Sequence, residues 1–213
     1  MKEIILVLIT MICYSCNAQQ KKSNTECYQN SWAKWIENEL PETICVQKDE
    51  MIYHLFNKFD FNSDGLLDVA IEKGGNKLTD GMQTELVMYQ QINDSTYTKY
   101  RTLDNVYPLW FDDYDSPVKL DDSALNDIKE YYEMGDPLRR IELVENKIIL
   151  NLKGDAVTDY ILTFTYSKEK KDWILSNYIE FDLHNNIKTP YPSDKIGTSI
   201  SEFSFIEYLN GEY

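Results

Sequence analysis

Strand-like runs joined by short turns constrain this 213-residue chain more than any other feature of its sequence. In the run 157–166, Tyr160, Leu162 and Phe164 alternate with polar or smaller residues, as expected for a strand with one buried face. The run 173–182 follows after a charged turn, so the two runs together predict an antiparallel hairpin. Six further runs predict strands that form more hairpins and a meander: 51–61, 67–72, 84–92, 97–103, 140–144 and 147–152.

Two other segments have the spacing of apolar residues that predicts short helices. The first, 31–40, is followed by Pro41, which cannot continue a helix. The second, 123–134, is followed by Gly135 and then by a proline, which is a common way for a helix to end. The chain is therefore expected to contain two helices beside its strands.

Taken together, these elements predict the α+β fold class for a single domain over residues 27–213. Within it we expect the tail 200–209, which carries two phenylalanines, to pack on a sheet. The stretch 185–199 contains two prolines and is expected to be a connecting loop. No repeat recurs through the chain, so a multi-blade propeller is not expected.

The N-terminus has the pattern of an export signal. Lys2 precedes an apolar run at 4–12, which is too short to span a bilayer but has the length of a signal-peptide core. The following Cys13-Tyr14-Ser15-Cys16 resembles the cleavage box of bacterial lipoproteins, with Cys13 where that pattern most often has Leu. The resemblance implies a signal peptide over 1–15, acylation of Cys16, a tether over 16–26 and anchoring to a membrane of the cell envelope. Ordinary cleavage after Ala18, which would release a soluble exported protein, is the alternative.

Export also bears on the two cysteines that remain after cleavage, Cys27 and Cys45. An oxidising compartment permits disulfides, and these two cysteines flank the first predicted helix. A Cys27–Cys45 bond would tie both ends of that helix and would stabilise the fold by ~3 kcal/mol in the chain-entropy model. Two buried free thiols are the alternative.

The chain is strongly acidic, with 36 Asp and Glu against 21 Lys and Arg, a net charge of −15 and a pI near 4.5. This balance argues against nucleic-acid binding, which depends on basic side chains that neutralise phosphates. With two histidines and no repeated cysteine pairs, the chain has few of the ligands that a zinc site needs. A hydrophobic content of 43% is nevertheless sufficient for a packed core.

The strongest chemical signal is the segment Asp60-Phe61-Asn62-Ser63-Asp64-Gly65-Leu66-Leu67-Asp68. It places side-chain oxygens at positions 1, 3, 5 and 9, and oxygens are the ligands that Ca²⁺ prefers. Gly65 at position 6 permits the positive φ that a tight loop needs. A helical EF-hand is not predicted, because Ile71 stands at position 12 and both flanks are strand-like.

This arrangement resembles the strand–loop–strand calcium loop of FG-GAP and VCBS-type repeats, in a single copy over residues 52–74. The overall layout is similar to exported proteins of Bacteroidetes-type bacteria that carry one such loop and have no general assigned activity. The resemblance implies weak Ca²⁺ binding, with a Kd of ~10⁻⁴–10⁻³ M as in extracellular modules. The alternative is an Asp-Gly hairpin turn without a metal. The ligands that the resemblance implies are Asp60, Asn62, Asp64, the Leu66 backbone carbonyl and Asp68.

A second acidic region spans residues 104–136, with ten acidic residues, two lysines and interleaved aromatic residues that include Tyr107 and Trp110. It is interpreted as a solvated loop over packed aromatic rings. The alternatives are a surface for a basic protein partner, a second cation site, or a carboxylate pair for glycoside hydrolysis.

No nucleophile–base pair or acid–base dyad is evident, so an enzyme is not predicted. The sequence favours an exported, lipid-anchored, non-enzymatic protein with a calcium-stabilised domain and a binding or envelope role. The alternative is an inhibitor or immunity-type protein that uses the acidic, aromatic region 104–136 against a basic secreted enzyme, since its charge would steer such an encounter.

Overall fold

Two antiparallel β-sheets contain most of the residues that the computed structural model describes, which are 40–41, 43–45, 50–75, 84–107, 138–209 and 213. The strands follow one another in chain order, so each sheet is a meander of neighbouring hairpins. The first sheet consists of β1 (Glu50–Phe59), β2 (Asp68–Gly75), β3 (Thr84–Asn93) and β4 (Thr96–Leu103). The second sheet consists of β5 (Leu138–Val144), β6 (Lys147–Lys153), β7 (Thr158–Ser167), β8 (Asp172–Asp182) and β9 (Ile187–Pro190).

The α+β prediction is wrong, because the described part of the chain is almost entirely β-structure. Its helical segments are a 3₁₀ turn at Ile200–Glu202 and the five-residue helix α1, Phe205–Leu209. Five residues extend a helix by only about 7 Å, too little to form a layer against a sheet. The two predicted helices, 31–40 and 123–134, lie outside the described residues apart from Leu40.

The eight predicted strands are confirmed to within three residues at each end, whereas the loop predicted at 185–199 is partly wrong. Residues 187–190 form β9 and pair with residues 179–182 of β8. All four residues of β9 are exposed, so it lacks the alternation that marks a half-buried strand. Pro190 ends this edge strand, a position where the missing N–H is tolerated.

The main hydrophobic core lies between the two sheets. Ala70, Leu86 and Met88 contribute from the first sheet, while Leu162 and Phe164 contribute from the second. The predicted packing of the tail is confirmed, because the side chains of the tail's two phenylalanines join the same cluster. Those residues are Phe203 and Phe205.

The opposite face of the first sheet is covered by the segment 43–45. Ile44 packs with Val69 and Ile71 in a smaller cluster, and the Thr43 hydroxyl accepts a hydrogen bond from the Tyr97 backbone N–H at 3.2 Å. Cys45 in this segment is disulfide-bonded. Its partner lies outside the described residues, so the pairing with Cys27 stays a prediction.

Candidate metal centre

The predicted calcium loop connects β1 to β2 and has the backbone conformation expected from its glycine. Gly65 has φ +89°, in the left-handed region, which confirms the prediction for this position. A Cβ at Gly65 would meet no atom within 4 Å, so the backbone conformation rather than space requires glycine. Ser63 also has a positive φ, of 55°.

Three of the predicted ligands are brought together within this loop. The Asp60 carboxylate accepts hydrogen bonds from the backbone N–H groups of Asp64 at 3.1 Å and Gly65 at 2.8 Å. Asn62 accepts from the Asp64 N–H at 2.9 Å and donates its amide to the Asp64 carboxylate at 2.8 Å. Asp64 also accepts from the Leu66 N–H at 2.9 Å, and this bond is the main reason that its pKa is lowered. The side chains at positions 1, 3 and 5 are therefore linked by hydrogen bonds within the loop.

Asp68, the predicted ligand at position 9, has a different environment. It is fully buried, and its two carboxylate oxygens accept hydrogen bonds from the backbone N–H groups of Phe61 and Gln91, each at 3.0 Å. Burial raises the pKa of Asp68 to about 6; the two N–H groups act against this shift, while the charges of Asp64 and Asp60 add to it. Asp68 thus joins the loop to β3, a contact that the sequence did not reveal.

The donor set of the loop is chemically suited to a hard cation, although Asp68 does not converge with the other side chains. Among the described residues, no three Asp, Glu, His or Cys side chains form a group that could hold a metal ion. Asp60, Asn62 and Asp64 nevertheless present oxygen atoms within five residues, and the Leu66 carbonyl follows them. Each Asp68 oxygen accepts one N–H and so retains a second lone pair. These oxygens are donors of the kind that Ca²⁺ prefers, and the ion takes six to eight of them.

The loop is also anchored to the second sheet through Phe61, which sequence reasoning did not identify as important. Phe61 is 1% exposed, and its ring centroid lies 4.7 Å from Tyr100, 5.2 Å from Trp173 and 5.3 Å from Tyr166. Lys168 adds a second contact from the β7–β8 turn, because its ammonium donates to the Ser63 carbonyl at 3.3 Å. The only sequence signal was a large aromatic residue between the polar residues Asp60 and Asn62.

The remaining predicted sites lie mostly outside the described residues. These include Cys16, Cys27 and all of the acidic region 104–136 beyond Tyr107. Tyr107 itself is buried, at 4% exposed, and its hydroxyl has no hydrogen-bond partner among the described residues. Within those residues, no helix has the length and apolar character needed to cross a bilayer.

No family profile, curated protein or solved structure matches the chain. Function is therefore inferred from the side chains and their contacts.

Proposed function

We propose that the protein is exported, lipid-anchored through Cys16 and non-enzymatic, with a binding or structural role in the cell envelope. Its β-domain is stabilised by Ca²⁺ bound to the β1–β2 loop. The anchor is inferred from the Cys13–Cys16 sequence alone. The observation that carries the calcium site is the convergence of Asp60, Asn62 and Asp64 through direct hydrogen bonds.

The charges around the loop favour a bound cation. Asp60 and Asp64 are joined through the Asp64 N–H, and both raise the pKa of the buried Asp68 behind them. Lys168 lies nearby and lowers the pKa of Asp64 through its charge, but its side chain is exposed and carries only one positive charge. A divalent ion would offset the mutual repulsion of three carboxylates more effectively, because it brings twice the charge into the loop.

The role assigned to the ion is structural. Phe61 follows the first ligand and packs on rings from both sheets, so fixing the loop would also fix this side chain. Asp60, Asn62, Asp64 and the Leu66 carbonyl would hold the ion, while the buried Asp68 fixes the loop through its hydrogen bonds to Phe61 and Gln91. Bound Ca²⁺ would supply charge neutralisation and rigidity in the loop.

Calorimetric titration of the metal-free chain with Ca²⁺, together with its melting temperature, tests this function. We expect a Kd of ~10⁻⁴–10⁻³ M and, at 10 mM Ca²⁺, a stabilisation of about 1–3 kcal/mol by mass action. Asp64→Asn should lose most of both effects, because it removes one of the two carboxylates that would hold the ion.

The matched control is Asp94→Asn, which changes an exposed carboxylate in the β3–β4 turn and should leave Ca²⁺ binding unchanged. The absence of both heat and any change in melting temperature at millimolar Ca²⁺ would sink the proposal. Equal loss in the two variants would show that the ion binds to general surface charge instead.

A further inference from the structure

A cavity of about 810 Å³ lies between β1, at the edge of the first sheet, and β5, at the edge of the second. Its volume is within the range of about 300–1,000 Å³ that is typical of small-molecule pockets. The rings of Tyr53 and Phe56 line it from β1, and the apolar side chains of Ile141 and Leu143 line it from β5. None of the residues that line the cavity belongs to the loop 60–68.

Two polar groups in this lining bear on what the cavity could bind, and one of them is the carboxylate of Glu72. Glu72 lies two residues after Ala70 and pairs in register with Leu86, and both of these neighbours are fully buried in the core between the sheets. Alternation along β2 therefore directs Glu72 toward the same inter-sheet space. Glu72 is half-buried, and the described structure gives its carboxylate neither a hydrogen bond nor an ion pair.

The hydroxyl of Tyr107 is the second polar group. The Tyr107 side chain lines the cavity and is 4% exposed, and its hydroxyl has no partner among the described residues. A buried hydroxyl without a partner is destabilising, because the hydrogen bonds it made with water are not replaced. The charge of Glu72 raises the pKa of Tyr107 after the larger effect of burial, so the two groups are electrostatic neighbours.

The arginines that line the cavity are already paired with carboxylates. Arg140 contacts Glu142 at 2.5 Å and Arg139 contacts Asp159 at 3.5 Å. Glu72 makes no described ion pair, although His54 lies opposite it on β1, lines the same cavity and lowers the pKa of Glu72 through its charge. The net charge of −15 would also attract positively charged ligands from solution.

We propose that this cavity binds a small molecule that carries an ammonium group on an aromatic or aliphatic body. Glu72 pairs with the ammonium group, and the Tyr107 hydroxyl accepts a hydrogen bond from it. The rings of Tyr53 and Phe56 contact the body of the ligand, and the faces of such rings also attract cations. Ile141 and Leu143 complete the apolar wall.

A matched pair of probes, 1-naphthylmethylammonium and the neutral 1-naphthylmethanol, tests the proposal by NMR-monitored titration of the full chain. We expect the ammonium probe to bind at least about tenfold more tightly, as one charge-assisted contact provides. Glu72→Gln should reduce this preference to less than about twofold, and Glu169→Gln, at an exposed turn, should leave it intact. Thermal melting checks that both variants are folded. Equal binding of the two probes to the parent protein, or no binding of either, would overturn the proposal.

Tyr107→Phe provides a second test with two opposite expectations. Removing a hydroxyl that has no partner should raise the melting temperature by about 2–5 °C, while affinity for the ammonium probe falls by about threefold or more. A lower melting temperature, or unchanged affinity, would contradict the role assigned to this hydroxyl.

Discussion

Asp68 and Glu72 are two acidic residues of the same strand, four positions apart, and they differ in how their charge is accommodated. Asp68 is fully buried, and each of its oxygens accepts a backbone N–H. Glu72 is half-buried in the cavity lining and has neither a hydrogen bond nor an ion pair within the described structure. Burial raises the pKa of both groups. The comparison shows that a buried carboxylate can serve the fold where donors are built in, and remains available to a ligand where they are not.

The surroundings of the two residues differ in the same way. Next to Asp68, Phe61 fills the space between the sheets and contacts rings from both of them. Next to Glu72, the corresponding space is a cavity that contains a buried hydroxyl without a described partner, on Tyr107. At the Asp68 end, the inter-sheet space is therefore filled and the buried carboxylate has its hydrogen bonds. At the Glu72 end there is a cavity, and its buried hydroxyl has no described hydrogen-bond partner.

Phe61→Ala should have the largest effect on stability, because it would open a void at the packed end of the inter-sheet space. Phe-to-Ala substitutions in cores typically cost about 3–5 kcal/mol, and the free energy of unfolding should fall by that amount in urea denaturation. Leu67→Ala is the control in the same loop, since Leu67 is 54% exposed and should change stability by less than about 0.5 kcal/mol. A loss of similar size in both variants would show that the loop tolerates no change, rather than that Phe61 is a core residue.

A smaller but more specific effect is expected from removing each carboxylate in turn. Asp68→Ala leaves the N–H groups of Phe61 and Gln91 without an acceptor in a buried site, which should cost about 2–4 kcal/mol. Glu72→Ala removes a desolvated charge that makes no described hydrogen bond or ion pair, so the stability should change by less than about 1 kcal/mol or increase. Urea denaturation of the two variants at pH 7 makes the comparison. Equal losses would contradict the distinction drawn between the two residues.

The hairpins were predictable from sequence because their strands alternate, as in Leu162 and Phe164 of β7. β9 was not, because its four residues are all exposed and carry no alternation. The fold class was misjudged because helical spacing was given weight in segments that lie outside the described residues, while helix α1 has only five residues.

The contacts within the 60–68 loop were predictable in part, because Asp60, Asn62 and Asp64 interact locally and their spacing can be read directly. The role of Asp68 depends on the Gln91 N–H of β3, which is 23 residues away, and no local pattern reveals that pairing. The cavity was not predicted at all. Glu72 stood at the end of a predicted strand, and Tyr107 was assigned to an acidic loop; only the tertiary fold brings them to one site.

NMR titration of the side-chain carboxyl groups of Asp68 and Glu72 tests the central distinction most directly. In the metal-free protein, Asp68 should titrate with a pKa of about 6, above its ordinary 3.8, and Glu72 above its ordinary 4.5. Saturating Ca²⁺ should lower the pKa of Asp68, because it offsets the charges of Asp60 and Asp64, and should leave Glu72 unchanged. The ammonium probe should lower the pKa of Glu72 alone. If Asp68 titrates near 3.8, or if either ligand shifts both groups equally, the two ends of the inter-sheet space do not differ in the way described.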